Sequence, residues 1–262
     1  MKKPIVSVLM TVFNHQNYVK NSVKSVLSQN FKRFEFILID NGSTDNSTKI
    51  IKSFKDKRIK KIYLKNNIGR TKCLNYGLKY CRGKYIAILD SDDIAKKNRI
   101  HIQYQALEND SNLWLIGSNY NLINTSNKKI GQSNIDQNLN NRPRKIIFKN
   151  LIAHSTVMFR KKLLKKIGLY PKEFQYAQDY AFYLKTIKNF KIKILKEKLI
   201  NLRVPHKNSE TLRLYKTNII NLEEIRLLTW SLKNLKTNGL EKIMIILNIF
   251  IKYLKVFKNK FI

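Results

Sequence analysis

The chain has 262 residues and a mass of 31.0 kDa, with 52 Lys and Arg against 17 Asp and Glu, a formal net charge of +35. Hydrophobic residues at 43% and aromatics at 11% suffice for a sizeable core and exclude a mainly disordered chain, while 8 Gly and 4 Pro exclude collagen-like and proline-rich architectures. The charge points to an anionic partner, although abundant Lys, Asn and Ile also match drift toward AT-rich codons, which would leave much of the lysine excess without functional meaning.

Short apolar runs alternate with segments of helical period through the first third, the pattern of a βαβ sheet with helices on its faces. Residues 5–12 read as the first strand, and Val19, Val23, Val26 and Leu27 as the apolar stripe of the helix after it. A second strand over 35–40 precedes a helix marked by Ile50, Ile51 and Phe54. A third over 59–65 precedes one marked by Leu74, Leu78 and Tyr80, and a fourth covers 85–90. The sheet is expected to be mostly parallel, with ligands at the carboxyl ends of its strands. Residues 119–141, rich in Asn, Ser and Gln, read as an irregular or acceptor-facing connection. Residues 155–160 read as another strand, 179–188 as a helix, and the chain beyond about 211 as wholly helical. No internal repeat is present. Cys73 and Cys81, too far apart for a redox pair or zinc knuckle, read as reduced packing residues. The N-terminus lacks an apolar secretory stretch, and no apolar run reaches the roughly 18 residues of a spanning helix, so a cytoplasmic location is expected.

The strand ends are polar. Asp90, Ser91, Asp92 and Asp93 follow an apolar run, and three carboxylates in four residues repel one another unless a cation holds them. A hard ion such as Mg²⁺ or Mn²⁺ fits oxygen ligands and keeps positions open for phosphates; a solvated turn with Asp93 capping the next helix fits the spacing as well. In the segment 40–45, Asp40 can bond a nucleobase edge, Gly42 permits a tight turn and Asp45 can cap the following helix, or the whole is an ordinary strand-turn-helix connection. Residues 67–72 open a helix with backbone amides and two cations suited to a diphosphate, or simply cap it.

In order, VSVLMTVFN at 6–14, DNGSTD at 40–45, NIGRTKCLNYGLKYCRGKYIAILDSDD at 67–93, HSTVMFRK at 154–161, Gln178-Asp179-Tyr180 and Arg203-Val204-Pro205-His206 resemble a family 2 glycosyltransferase of the bacterial cell-surface saccharide type. The resemblance covers roughly residues 4–210. It implies an α/β GT-A fold, a Rossmann-like sheet flanked by helices, a nucleotide-sugar donor, a divalent metal and inversion at the anomeric carbon. It assigns Thr11, Phe13 and Asn14 to the nucleotide cradle, with Phe13 where Tyr is usual, and Asp40 and Asn41 to base binding, with Asn41 where a second Asp is commoner. Asn67, Gly69 and Lys72 fall in the donor loop. Asp90-Ser91-Asp92 is the family's D-x-D motif, Asp92 being the direct metal ligand and Asp90 a ribose or bridging contact. Asp179 matches the general base, with Gln178 in place of the usual Glu; without the resemblance it reads as a helix N-cap. His206 falls near the diphosphate and metal, and His154 would line the acceptor pocket.

The implied organisation is a transferase domain over 1–210, divided into a nucleotide-sugar half (1–118) and an acceptor half (119–210), then a helical segment over 211–262. The expected activity is metal-assisted transfer of one sugar from a UDP-sugar to lipooligosaccharide, O-antigen or capsule. In the segment 241–262 apolar residues are flanked by Lys242, Lys252, Lys255, Lys258 and Lys260, a pattern for a helix lying on the anionic inner face of the cytoplasmic membrane, or packed on the domain or a second copy. Nucleic-acid motifs, the P-loop and the dinucleotide fingerprint are absent. The competing readings are a non-catalytic nucleotide-sugar-binding module and a basic nucleic-acid-binding protein.

Overall fold

The computed structural model describes residues 3–135, 143–204 and 217–258. Strands β1 (Val6–Val12), β2 (Phe34–Asp40), β3 (Ile59–Tyr63) and β4 (Tyr85–Ile88) run parallel in the order β3-β2-β1-β4. Successive side chains leave a strand on opposite faces, so strands buried on both sides must be apolar throughout. Val8 and Met10 accordingly join Phe36 and Leu38 on one face, while Leu9 joins Ile37 and Ile39 on the other. Helix α1 (Val19–Leu27) covers the first face with Val19, Val23 and Val26. After α2 (Ser47–Ser53), helix α3 (Arg70–Leu78) covers the second face with Cys73, Leu74 and Leu78. Burial pushes the Cys73 and Cys81 thiols up to about 12, which leaves both as inert packing groups.

Beyond β4 come β5 (Ile94–Ala95), α4 (Arg99–Asn109), β6 (Leu113–Ile123), β7 (Lys129–Gln132), β8 (Met158–Arg160), α5 (Leu163–Ile167), α6 (Gln178–Ile187) and β9 (Lys191–Arg203). They extend the sheet to β3-β2-β1-β4-β8-β6-β9-β5, with β7 paired to β6. The parallel expectation describes β1 to β4 and the long β6–β9 pair; β8 lies antiparallel to both β4 and β6, so the complete sheet is mixed. The described part of 119–141 is not irregular either. It contains the end of β6 and all of β7, paired as a hairpin. Its polar side chains mislead because they bond one another: Asn121 Nδ2 donates to Asn201 Oδ1 at 3.0 Å, and Ser133 Oγ to Asn119 Oδ1 at 2.7 Å. Likewise 155–160 begins in a 3-10 turn, His154–Thr156, and becomes strand only at Met158.

Two helices close the described chain, α7 (Ile219–Asn234) and α8 (Gly239–Lys258). Asn238 and Glu241 cap α8 reciprocally, each backbone N–H donating to the other's side chain, at 3.0 and 2.8 Å. Ile245 anchors α8 in the core, and Lys252 pairs with Glu224 of α7. Among the described residues no helix is long and apolar enough to cross a membrane.

Candidate active site

Parallel register brings the ends of β1, β2 and β4 side by side: Val12 lies opposite Asp40, and Leu9 opposite Ile88. The loops that follow are stitched together. Asn14, at a left-handed φ of 53°, accepts the Thr44 N–H at 2.8 Å, and its own N–H donates to Ser43 Oγ at 3.1 Å. Thr11 is half-buried beneath this edge, while the Phe13 ring is 37% exposed and offers an open face. Gly42 makes the second turn possible. Its φ is +73°, and a Cβ there would lie 2.5 Å from the Asn66 carbonyl carbon. Asp40 takes the Ser43 N–H on one oxygen at 3.0 Å and the Thr48 hydroxyl on the other. Asn41 donates to Asn67 Oδ1 at 2.9 Å and accepts the Ile68 N–H at 3.1 Å, so its amide fastens β2 to the loop opening α3. Both side chains are buried and brace the edge; each Asp40 oxygen retains a second lone pair for a ligand. The Gly69 N–H donates to Asn67 Oδ1 at 2.8 Å, and Lys72 is exposed on α3. Asp45 precedes the N-cap of α2, Asn46, and accepts the N–H of the helix's first residue, Ser47, at 2.9 Å.

The acidic turn after β4 is tied down on every side. Arg70 Nη2 donates to both oxygens of Asp90 at 2.7 Å, and His154 Nδ1 lies 3.5 Å from the same carboxylate. Burial alone would raise the Asp90 pKa, but the charge of Arg70 and the proximity of His154 hold it well below the usual carboxylate range. Ser91 Oγ meets His15 Nδ1 at 2.6 Å, and the Arg203 Nε donates to the Asp92 carbonyl at 2.9 Å. Asp93 does not cap α4. Its carboxylate turns inward and accepts the Arg203 N–H at 2.7 Å, joining the turn to β9. Burial, then the charges of Asp92 and Asp90, push Asp93 well above the ordinary range; burial and Asp90 raise Asp92, with His15 opposing.

That crowding is what a bound dication would relieve. Asp90 and Asp92, half-buried at the strand end, could offer hard oxygen ligands of the kind Mg²⁺ or Mn²⁺ takes. Among the described residues no group of three or more His, Cys, Asp or Glu forms a cation site by itself. His206 lies outside the described residues.

Asp179 occupies the second position of α6 and accepts the Asn150 Nδ2 at 3.1 Å. Its neighbour Gln178 is buried. His154 Nε2 lies 3.0 Å from the Tyr170 hydroxyl. Burial would lower the Arg70 pKa, but Asp90, Asp179 and Asp92 together raise it. Arg70 thus grips Asp90 directly and feels the charges of the other two carboxylates. Sequence reasoning treated Arg70 only as one loop cation among two and passed over His15, Asn150 and Tyr170, which reach the site from separate turns and carry no motif of their own.

The chain as a whole resembles known proteins. A family profile described as glycosyl transferase family 2 matches residues 7–168, more than half of the chain. This chain belongs to that family. An uncharacterized glycosyltransferase of Methanocaldococcus jannaschii is 35% identical over 227 residues, covering 84% of this chain and 77% of the relative. The glycosyltransferase's mixed sheet and flanking helices form the GT-A fold. They superpose on Staphylococcus aureus TarS 1–349 in complex with UDP at a TM-score of 0.70 and 22% identity, over 94% of this chain and 70% of TarS. They also match a mannosyltransferase of Pyrobaculum calidifontis in complex with GDP-Man and Mn²⁺, at a TM-score of 0.72 and 12% identity, over 99% and 74% of the two chains.

Proposed function

We propose that this glycosyltransferase moves one sugar from a UDP-sugar to a cell-envelope saccharide such as lipooligosaccharide, O-antigen or capsule, with inversion and with help from Mg²⁺ or Mn²⁺. The observation that carries this reading is the gathering of Asp40, Asp90 and Asp92 at the carboxyl ends of neighbouring parallel strands, with Arg70 gripping both oxygens of Asp90 at 2.7 Å. A nucleotide-sugar donor and a dication are further supported by the UDP bound to TarS and the GDP-Man and Mn²⁺ bound to the mannosyltransferase.

Thr11, Phe13, Asn14, Asp40, Asn41 and Asn67 would form the base pocket, with the exposed Phe13 ring as stacking platform. Gly69 and Lys72 would face the diphosphate, and Asp92 and Asp90 would hold the metal, with Asp90 as bridge to the ribose and His206 adjoining. When bound, the metal neutralises charge on the departing diphosphate. Asp179 accepts the acceptor hydroxyl's proton as that oxygen bonds to the anomeric carbon; the opposite carbon–oxygen bond breaks, its electron pair leaves with the diphosphate, and the configuration inverts. The unit doing this would be residues 1–210, split near 118 into donor and acceptor halves.

Release of nucleoside diphosphate from UDP-glucose, UDP-galactose, UDP-N-acetylglucosamine and GDP-mannose, with water as acceptor and Mn²⁺ present, tests the reading. Turnover of a UDP donor is expected, falling by about 10²- to 10⁴-fold in Asp179→Asn with UDP binding intact. Full activity in that variant, or turnover of GDP-mannose alone, contradicts it.

The outward face of α8 carries Leu240, Ile243, Ile246, Leu247, Phe250 and Phe257, all more than half exposed, beside exposed Lys242 and Lys255. We place this face on an anionic bilayer, each nearby lysine adding about 1 kcal/mol. Co-sedimentation with phosphatidylglycerol vesicles should fall at least tenfold (about 1.4 kcal/mol) in Leu247→Glu/Phe250→Glu; unchanged binding would remove α8 as the anchor.

A further inference from the structure

A carboxylate from the C-terminal helices reaches the catalytic half of the molecule. Glu223 of α7 is 7% exposed, and its two oxygens accept three consecutive backbone N–H groups, those of Gln175 at 2.7 Å, Tyr176 at 2.9 Å and Ala177 at 2.7 Å. Those residues lead directly into α6, whose second residue is Asp179. The amino end of a helix of ten residues carries partial positive charge, and Ala177 at its N-cap position has no side chain to satisfy it. The first turn of α6 holds one anion in Asp179, and Glu223 adds a second from another helix, bonded to the backbone just before the helix. The same segment is fastened from the other side: Thr71 Oγ1, in the first turn of α3, donates to the Phe174 carbonyl at 2.8 Å and the Gln175 carbonyl at 3.3 Å. Thr71 adjoins Arg70, which grips Asp90. The loop before the proposed base is thus clamped between the donor side and α7.

We infer that Glu223 is a positioning residue for transfer, setting where Asp179 stands relative to Arg70 and the acidic turn by clamping residues 175–177. The inference rests on the reading of Asp179 as general base. A carboxylate suits the task because its two oxygens can accept three bonds while donating none; an amide presents one oxygen and an NH₂ group that opposes the backbone N–H groups. Displacing a base by a fraction of a bond length costs rate and leaves donor binding alone.

The test compares Glu223→Gln, Asp179→Asn and the double variant in donor hydrolysis by the full-length protein, using UDP-N-acetylglucosamine or whichever member of the UDP-sugar panel is turned over. UDP affinity in Mn²⁺ is measured alongside. Glu223→Gln is expected to lower kcat about 10- to 100-fold with KM and UDP affinity within about twofold, and the double variant to be no slower than Asp179→Asn, since Glu223 acts through Asp179. Thr71→Val, which loosens the same loop from the opposite side, keeps the idea testable should Glu223→Gln fold poorly; it should reproduce the fall in kcat. Wild-type kcat in the folded Glu223 and Thr71 variants, or an additive loss in the double variant, overturns the positioning role while leaving the base assignment standing. A fully active Asp179→Asn overturns both.

Discussion

The strand-end edge proposed to hold the donor, here the donor edge, and the wall that carries Asp179 are built on opposite plans. On the donor edge each polar group lies within a few residues of the end of a buried parallel strand, and neighbouring loops bond one another: Asn14 to Thr44, Asn41 to Asn67, Ser91 to His15. On the wall, Asn150, His154, Tyr170 and Asp179 come from a loop, a 3-10 turn, a second loop and a helix, and the segment before Asp179 is held by Glu223, almost fifty residues further along the chain. Strand register positions the first set almost automatically. The second depends on side chains distant in sequence, so single substitutions there should act on rate before they act on donor binding.

The donor edge should break first at its tightest turn. Gly42→Ala forces a side chain into left-handed backbone against the Asn66 backbone, and should cost about 1–3 kcal/mol of stability. UDP affinity should fall as well, because the turn carries Asp40 and Asn41. Urea unfolding with a parallel UDP titration checks both, and an unaltered midpoint would mean that the loop after β2 is more yielding than its contacts indicate.

This contrast also explains what could be read from residues alone. Strands at β1, β2 and β4 and the helix at α6 were legible because apolar runs of strand length end at polar turns, and their order matched a family. Asn119 and Asn121 were misleading, since cross-strand partners satisfy amides that otherwise mark loops. Tyr170 and Glu223 have no local signature, and Arg70 shows only as a loop cation; their roles come from where folding carries them, which periodicity does not encode. Asp93 looked like a third ligand or a cap and instead binds the backbone of β9.

The wall holds a smaller weakness. The hydroxyl of Tyr183, one turn after Asp179 on α6, is buried with no hydrogen-bond partner among the described residues. Tyr183→Phe removes that unsatisfied group and should raise stability by about 1 kcal/mol, with donor turnover unchanged. A loss of turnover would show instead that the hydroxyl serves the reaction and that the wall extends deeper than its exposed residues.

Asp90 and Asp92 are proposed to hold a dication together with the donor diphosphate. Calorimetric titration of UDP with and without Mn²⁺, on the native chain and on Asp92→Asn, tests it most directly. Mn²⁺ is expected to tighten UDP binding at least about tenfold in the native chain and hardly at all in the variant. Equal UDP affinity with and without the ion in the native chain, or full Mn²⁺ dependence surviving in Asp92→Asn, would contradict it.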